Sequence, residues 1–223
     1  MQVLIIPDLF AKDTQWEPVV ESFAKAGVRA EVVSFTAPRD EDLSEIVEFV
    51  NQRLIEKTYL IGHGVGGRVA IQLASQQPHQ LAGLMLTSTP AMPAASFRTF
   101  LFKVLHFFGT LVRIVIPYYI RKKIVTKYRE LKPGDPKKTL YNIIIAPSME
   151  AFLAKLSVPL LLLWGERDTR VAPAVAEVMS ETLHNFDVPH DLQLVAGGTD
   201  QLHVSHAELV AHTVLEALQS DLA

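Results

Sequence analysis

Short apolar runs recur along the chain and alternate with longer amphipathic segments. Near-continuous apolar runs of this length are typical of strands buried on both faces of a parallel sheet. They predict six strands, at residues 3–6, 30–35, 58–61, 84–87, 160–164 and 192–195. Apolar positions at helical spacing predict five helices, at residues 16–26, 41–56, 66–76, 174–183 and 206–218. The alternation predicts an α/β fold with a doubly wound, mostly parallel sheet.

One long stretch, residues 94–149, interrupts this alternation. It carries no strand signal and is basic, rich in aromatic residues and helical in pattern. We therefore expect a helical cap insertion at 94–149 within an α/β core formed by 1–93 and 150–223. Residues 100–120 are apolar enough to suggest a membrane span, but Lys103, His106 and Arg113 within them argue against one.

Charge is distributed unevenly between the insertion and the core. Residues 96–141 contain eleven Lys and Arg residues and two acidic residues, a net charge of +9. The rest of the chain sums to −12, so the overall −3 conceals a basic segment on an acidic body. Such a segment is suited to peripheral association with an anionic membrane, although it is equally suited to docking on the acidic body. No nucleic-acid partner is expected.

The cysteine count and the first residues limit the possible chemistry and location. The chain has no cysteine, which excludes disulfides, thiolate metal ligands and a cysteine nucleophile. Residues 1–7 lack the cationic start and the long apolar run of a secretory signal, so a cytoplasmic location is expected.

The stretch TYLIGHGVGG, residues 58–67, runs from a predicted strand through a glycine-rich turn into a predicted helix. It resembles the nucleophile elbow of the α/β-hydrolase family, normally G-x-S-x-G, in which a strained turn presents the catalytic serine. Gly62 and Gly66 match the flanking glycines, and Gly64 stands where the serine belongs. Glycine has no side-chain nucleophile, so the resemblance implies a family member that cannot form an acyl-enzyme at this position.

Two later blocks match the places where the family presents its other catalytic residues. In VPLLLLWGERDTRV, residues 158–171, Asp168 matches the acid that follows a late strand. Near the C-terminus, aligning Ala207 and Glu208 with the usual start of the last helix places Asp200 at the histidine position. A shifted loop would instead bring His203 to the site, and the alternative is that His203 packs the last helix.

A third departure follows the first strand, where Pro7 and Asp8 stand in place of the family's frequent His-Gly pair. That loop usually supplies an oxyanion-hole amide, which Leu9 still offers, but a carboxylate at position 8 would repel an oxyanion. The resemblance implies a non-catalytic or repurposed relative that binds a small apolar or acyl ligand beneath the cap. The residues expected to line that pocket are Asp8, Leu9, His63, Gly64 and Val65.

Three alternatives stay open. An ester hydrolase without a covalent intermediate would activate a water through Asp168, Asp200 and His203. The glycines Gly62, Gly64 and Gly67 also fit the G-x-G-x-x-G dinucleotide fingerprint, although the motif follows the third strand and the next strand ends in Thr87 without the usual acid. Asp168, Asp200 and His203 would suit a hard or borderline cation, but their spacing matches no metal motif, so neither a metal nor a cofactor is expected.

The placement of two aspartates at neighbouring catalytic positions carries an electrostatic expectation. If Asp168 and Asp200 lie within hydrogen-bond reach, their charges repel, and at least one carboxyl pKa should rise. Asp200→Asn would then stabilise the protein at neutral pH, unless Asp200 has a partner, namely His203, Arg167 or a bound metal.

Overall fold

The computed structural model describes residues 1–8, 12–34, 43–92 and 148–220. The predicted cap at 94–149 lies outside these ranges except for its last two residues, and so does Leu9. The predicted domain boundaries therefore remain a prediction.

All six predicted strands are present, with ends that differ by a few residues from the prediction. They are β1 (Gln2–Ile6), β2 (Arg29–Val32), β3 (Thr58–His63), β4 (Leu81–Thr87), β5 (Leu160–Gly165) and β6 (His190–Val195). They form one parallel sheet in the order β2-β1-β3-β4-β5-β6. The predicted α/β fold class with a doubly wound parallel sheet is confirmed.

The helices of the described residues cover both faces of the sheet. They are α1 (Glu17–Lys25), α2 (Ser44–Asn51), α3 (Val65–Gln76), α4 (Glu150–Leu153), α5 (Pro173–Asn185), α6 (Leu202–Ser205) and α7 (Ala207–Ser220). Short 3-10 turns at Asp13–Trp16 and Pro78–Gln80 lead into α1 and β4. No helix within the described ranges combines the length and the hydropathy needed to cross a bilayer.

The core beneath α1 and α7 follows from the two periodicities of the sequence. Alternate strand residues such as Val3, Ile5 and Ile61 point to one face of the sheet, where they meet Phe23 of α1 and Val214 of α7. Strands β1, β3, β4 and β5 are buried throughout, which explains their near-continuous apolar character, whereas the edge strand β2 is exposed or half-buried.

The order of the strands determines where a site can form. Strand β2 pairs with β1 on one side, and β3 pairs with β1 on the other side. The order in which strands are added to the sheet therefore switches direction at β1, although all the strands stay parallel. In open α/β sheets, ligands bind in the crevice at the carboxyl ends of the strands beside such a switch point. Asp8 follows β1 and Gly64 follows β3, so both lie at this crevice.

Candidate functional site

The turn between β3 and α3 has the geometry of a strained strand-to-helix elbow. Gly64 separates His63, the last residue of β3, from Val65, the first residue of α3, and adopts φ +57° and ψ −128°. This left-handed backbone is strained for any residue with a side chain. The neighbouring glycines allow close packing, since a Cβ on Gly62 would lie 2.6 Å from Gly67 Cα and one on Gly66 would meet the Ile6 and Pro7 carbonyls.

Asp8 fills the space in front of this elbow. Its side chain is 3% exposed, and its Oδ1 accepts a hydrogen bond from the Val65 amide at 3.1 Å. A Cβ on Gly64 would lie 2.6 Å from Asp8 Cγ and 2.8 Å from Asp8 Oδ1. The carboxylate therefore occupies the position of a side chain at residue 64 and engages the first amide of α3.

Arg170 joins Asp8 to Asp200. Its Nη2 donates to Asp8 Oδ2 at 2.5 Å, and its Nη1 donates to Asp200 Oδ2 at 3.4 Å. Burial alone would lower the Arg170 pKa, but the two carboxylates outweigh burial and raise it. Arg170 was missed at the sequence level; its place two residues after Asp168, in the same turn, was the available signal.

Asp168 lies in the turn after β5, as predicted, and is buried rather than on a surface turn. Its Oδ1 accepts the amides of Arg170 and Val171, each at 2.8 Å. Burial raises the Asp168 pKa, with a smaller contribution from Asp200, while the hydrogen bonds from Val171, Ser88 and Arg170 act in the opposite direction. One function of this carboxylate is therefore to hold the turn that carries Arg170.

Asp200 lies just before α6, and both its backbone and its side chain join the cluster. Its carbonyl accepts a hydrogen bond from His63 Nε2 at 3.0 Å, and its carboxylate faces Arg170. The expected repulsion from Asp168 is present only as a minor contribution to the Asp168 pKa. The cationic partner of Asp200 is Arg170 rather than His203 or Arg167. We therefore expect Asp200→Asn to destabilise the protein at neutral pH rather than to stabilise it.

His203 packs behind the carboxylates. It belongs to α6, is 1% exposed, and stacks on Trp16 with ring centroids 4.3 Å apart and planes 10° apart. Burial, assisted by His63 and Arg170 against an opposing effect of Asp8, lowers the His203 pKa to about 3. Among the described residues, neither ring nitrogen has a hydrogen-bond partner, so Asp168 and Asp200 are not bonded to it.

His63 completes this buried aromatic group, which we call the Trp16–His63–His203 cluster. Its ring centroid lies 4.7 Å from that of His203 and 5.9 Å from that of Trp16. Burial lowers the His63 pKa, although Asp8 and the Asp200 carbonyl favour the charged form. The structure thus brings Asp8, Gly64 and Val65 together with Asp168 and Asp200. His63 lies beside them in the interior, and the described part of the chain holds no group of three metal-ligating side chains.

Comparison with known families identifies the class of protein. The family model described as serine aminopeptidase, S33, matches residues 23–133. A putative lipase from Acinetobacter baumannii AYE superposes with a TM-score of 0.68 at 17% identity, covering 99% of this chain and 84% of that structure. The strand order and the elbow agree with these matches, and the chain belongs to the α/β-hydrolase superfamily.

Two curated relatives match only part of this chain and a smaller part of their own length. Esterase EstD from Thermotoga maritima is 26% identical over 150 residues, which cover 64% of this chain and 35% of the esterase. Human monoglyceride lipase is 28% identical over 167 residues, covering 68% of this chain and 52% of the lipase. The chain therefore spans between about a third and about half of the length of these relatives.

Proposed function

We propose that this chain is a pseudoenzyme of the α/β-hydrolase fold that binds a small apolar or acyl ligand at the crevice beside Gly64 and does not form an acyl-enzyme. Gly64 takes the nucleophile position, Asp168 the acid position and Asp200 the histidine position. One observation carries the proposal: the Asp8 carboxylate occupies the space in which a side chain at residue 64 would project, and it accepts the Val65 amide.

The position of Asp8 opposes two requirements of serine-hydrolase chemistry at once. The amide after the nucleophile normally donates to the oxyanion of the tetrahedral intermediate. Here the Val65 amide donates to Asp8, and a second negative charge beside that carboxylate would be repelled. Asp8 is held by Arg170, so the blocked arrangement carries its own counter-ion.

The same position of Asp8 argues against the dinucleotide alternative. A dinucleotide places its pyrophosphate at the N-terminus of the helix after the glycine motif. At α3, that place faces the buried Asp8 carboxylate. The pattern of Gly62 and Gly67 is explained by the close contact of β3 and α3.

A second candidate function is ester hydrolysis through a water held by Asp168, Asp200 and His203. The curated relatives, an esterase and a monoglyceride lipase, favour it. Against it, a general base works best when its pKa lies near the operating pH, and the pKa of His203 is about 3. Asp200 is tied to Arg170, and no hydrogen bond connects it to His203 within the described ranges.

The test combines a covalent probe with a turnover assay. A fluorophosphonate probe should label no serine, and p-nitrophenyl butyrate should be hydrolysed no faster than by Asp168→Asn or His203→Gln variants of the same protein. Ser180 is the serine to monitor by peptide mapping, because its hydroxyl lies 2.9 Å from His190 Nε2. Stoichiometric labelling at any serine would contradict the pseudoenzyme proposal. Turnover that both variants abolish would establish the water-based alternative.

A further inference from the structure

Residues 199–206, which we call the α6 segment, connect the turn after β6 to α7 and include the short helix α6. The carbonyl of Gly198, directly before the segment, accepts a hydrogen bond from the turn after β5 at 2.8 Å. Within the segment, Leu202 and His203 are buried, whereas Val204 is 48% exposed. The α6 segment is therefore a short stretch at the surface that inward side chains hold to the fold.

The aromatic contacts of this segment join three separate parts of the fold. His203 stacks on Trp16 of the 3-10 turn before α1, with ring centroids 4.3 Å apart, and its centroid lies 4.7 Å from that of His63 at the end of β3. The Nε2 of His63 also contacts the carbonyl of Asp200, near the start of the segment, at 3.0 Å. Two imidazoles thus attach the α6 segment to the sheet and to the turn that carries Trp16.

Neither imidazole has a partner for a second proton. A carbonyl only accepts hydrogen bonds, so the Nε2 of His63 carries the hydrogen and its Nδ1 is the unprotonated nitrogen. That Nδ1 and both nitrogens of His203 are buried without a hydrogen-bond partner among the described residues. An imidazolium donates from both nitrogens, and Trp16 offers only a further N–H donor. Protonation in this packing would therefore bury a charge without an acceptor, which carries a large free-energy penalty.

The charged groups that act on the two imidazoles come from the loops at the crevice. Asp8 favours the charged form of both rings, and the carboxylate of Asp200 favours that of His63. Arg170 opposes the charged form of both rings, and His63 opposes that of His203. Burial is the largest influence and lowers the pKa of both histidines, that of His203 to about 3.

Other titratable groups on the elements around the cluster are exposed to solvent or engaged elsewhere. On α3, Arg68 donates to the Pro90 carbonyl at 2.9 Å. His206, at the end of the α6 segment, is half-buried, and its Nδ1 lies 2.8 Å from the Ser205 hydroxyl. The titratable side chains of the 3-10 turn before α1, of α1 and of α7 are exposed, so solvent screens them: Asp13, Glu17, Glu21, Lys25, Glu208, His212 and Glu216. The response of the cluster to acid therefore depends mainly on its two imidazoles.

We infer that the α6 segment opens locally in acid: protonation of His203 or His63 separates the segment from the Trp16 ring while the sheet stays folded. Asp200 belongs to the segment, so the opening changes the crevice whether or not the crevice supports hydrolysis. The open form accepts the proton at the ordinary pKa of 6.5, whereas His203 in the closed form accepts it only at about 3. Between pH 7.5 and pH 4.5, the ratio of open to closed segments should therefore rise about a hundredfold through His203 alone, and His63 acts in the same direction.

Hydrogen exchange measured by mass spectrometry detects this opening in the unsubstituted protein. The amides of Val204, Ser205 and His206 bond to carbonyls within the segment and exchange when it opens. After correction for intrinsic exchange rates, their protection should be about a hundredfold lower at pH 4.5 than at pH 7.5. Their protection should also be lower than that of the α3 amides at both pH values. Low concentrations of urea should leave it unchanged, because urea acts on openings that expose much surface.

Two results of this measurement would overturn the inference. One is protection of the α6 segment that is the same at both pH values. The other is protection that equals that of α3 and falls with it as urea is added, since the segment would then open only when the whole protein unfolds.

A variant identifies the titrating group. His203→Phe keeps an aromatic ring against Trp16 and removes the titration, so the fall in protection between the two pH values should be at least about tenfold smaller than in the parent protein. His184→Phe, at an exposed position in the last turn of α5, is the matched control and should retain the full fall. The comparison of the parent protein at two pH values requires no variant. A fall in His203→Phe that equals that of the parent would overturn the assignment to this imidazole.

Discussion

Replacement of His203 by phenylalanine should reduce the loss of unfolding free energy that occurs as the pH falls below about 6.5. The imidazole is buried against Trp16 with both nitrogens unpartnered, and its pKa falls from 6.5 to about 3. Phenylalanine keeps an aromatic ring in the stack and removes the titration. The variant tests whether this histidine is neutral in the folded protein.

The sign and the size follow from linkage. Above pH 6.5 the imidazole is neutral in both states and contributes no pH dependence. Below 6.5 the unfolded chain takes up a proton that the folded protein refuses, so stability falls as pH falls, until the folded pKa of about 3 is reached. Each pH unit in this window costs about 1.4 kcal/mol, so between pH 7.5 and pH 4.5 His203 should cost about 2 to 3 kcal/mol.

Urea denaturation followed by far-ultraviolet circular dichroism measures this effect. The variant should be near the parent protein in stability at pH 7.5 and more stable than it by about 2 to 3 kcal/mol at pH 4.5. His184→Phe, at an exposed position in the last turn of α5, is the matched control and should not change the acid side. A difference between His203→Phe and the parent that is the same at both pH values would refute the argument, since it would show that His203 is protonated, or equally ionised, in both states.

Three further predictions concern the carboxylates, the elbow and the insertion. Gly64→Ser alone should give no fluorophosphonate labelling, because the serine Cβ would lie 2.6 Å from Asp8 Cγ. The double variant Asp8→Gly with Gly64→Ser should be more stable than Gly64→Ser in urea melts. Equal stability of the two variants would contradict the clash. Asp200→Asn should destabilise the protein at pH 7 by about 1 kcal/mol through loss of the Arg170 pair, with Asp191→Asn as the exposed control, and a stabilised variant would show that repulsion from the other carboxylates dominates. If the basic segment 96–141 faces lipid, the protein should sediment with anionic vesicles but not with neutral ones, and salt should release it; equal binding to both would contradict the electrostatic basis.

The sheet could be predicted from the sequence because local pattern and tertiary environment agree in it. The strand at Leu160–Gly165 is apolar at successive positions because both of its faces are covered, and the glycines at 62, 64 and 66 permit a helix to start directly after a strand. Asp168 was found for the same reason, since a turn after a buried strand fixes its place at the carboxyl edge.

The pairing of side chains within the site could not be obtained in this way. Arg170 reaches Asp8 across 162 positions of sequence, and that contact depends on how two loops approach each other. The predicted repulsion between Asp168 and Asp200 makes only a minor contribution to the Asp168 pKa. Arg170, from the same turn as Asp168, lies beside Asp200. His203 was considered as a displaced base, but its burial against Trp16 depends on how α6 packs on the 3-10 turn before α1.

The backbone at Gly64 also determines how easily covalent chemistry could be regained. A residue with a side chain held at φ +57° costs about 1 to 3 kcal/mol, which an active hydrolase spends in order to present its nucleophile. Glycine releases that strain, so absence of the serine leaves the elbow more stable than an active version of it. Return to serine would restore the strain and also displace a buried carboxylate from its arginine and its amide. A single substitution of Gly64 by serine therefore begins with a loss of stability, and the glycine elbow forms a rigid scaffold for the crevice.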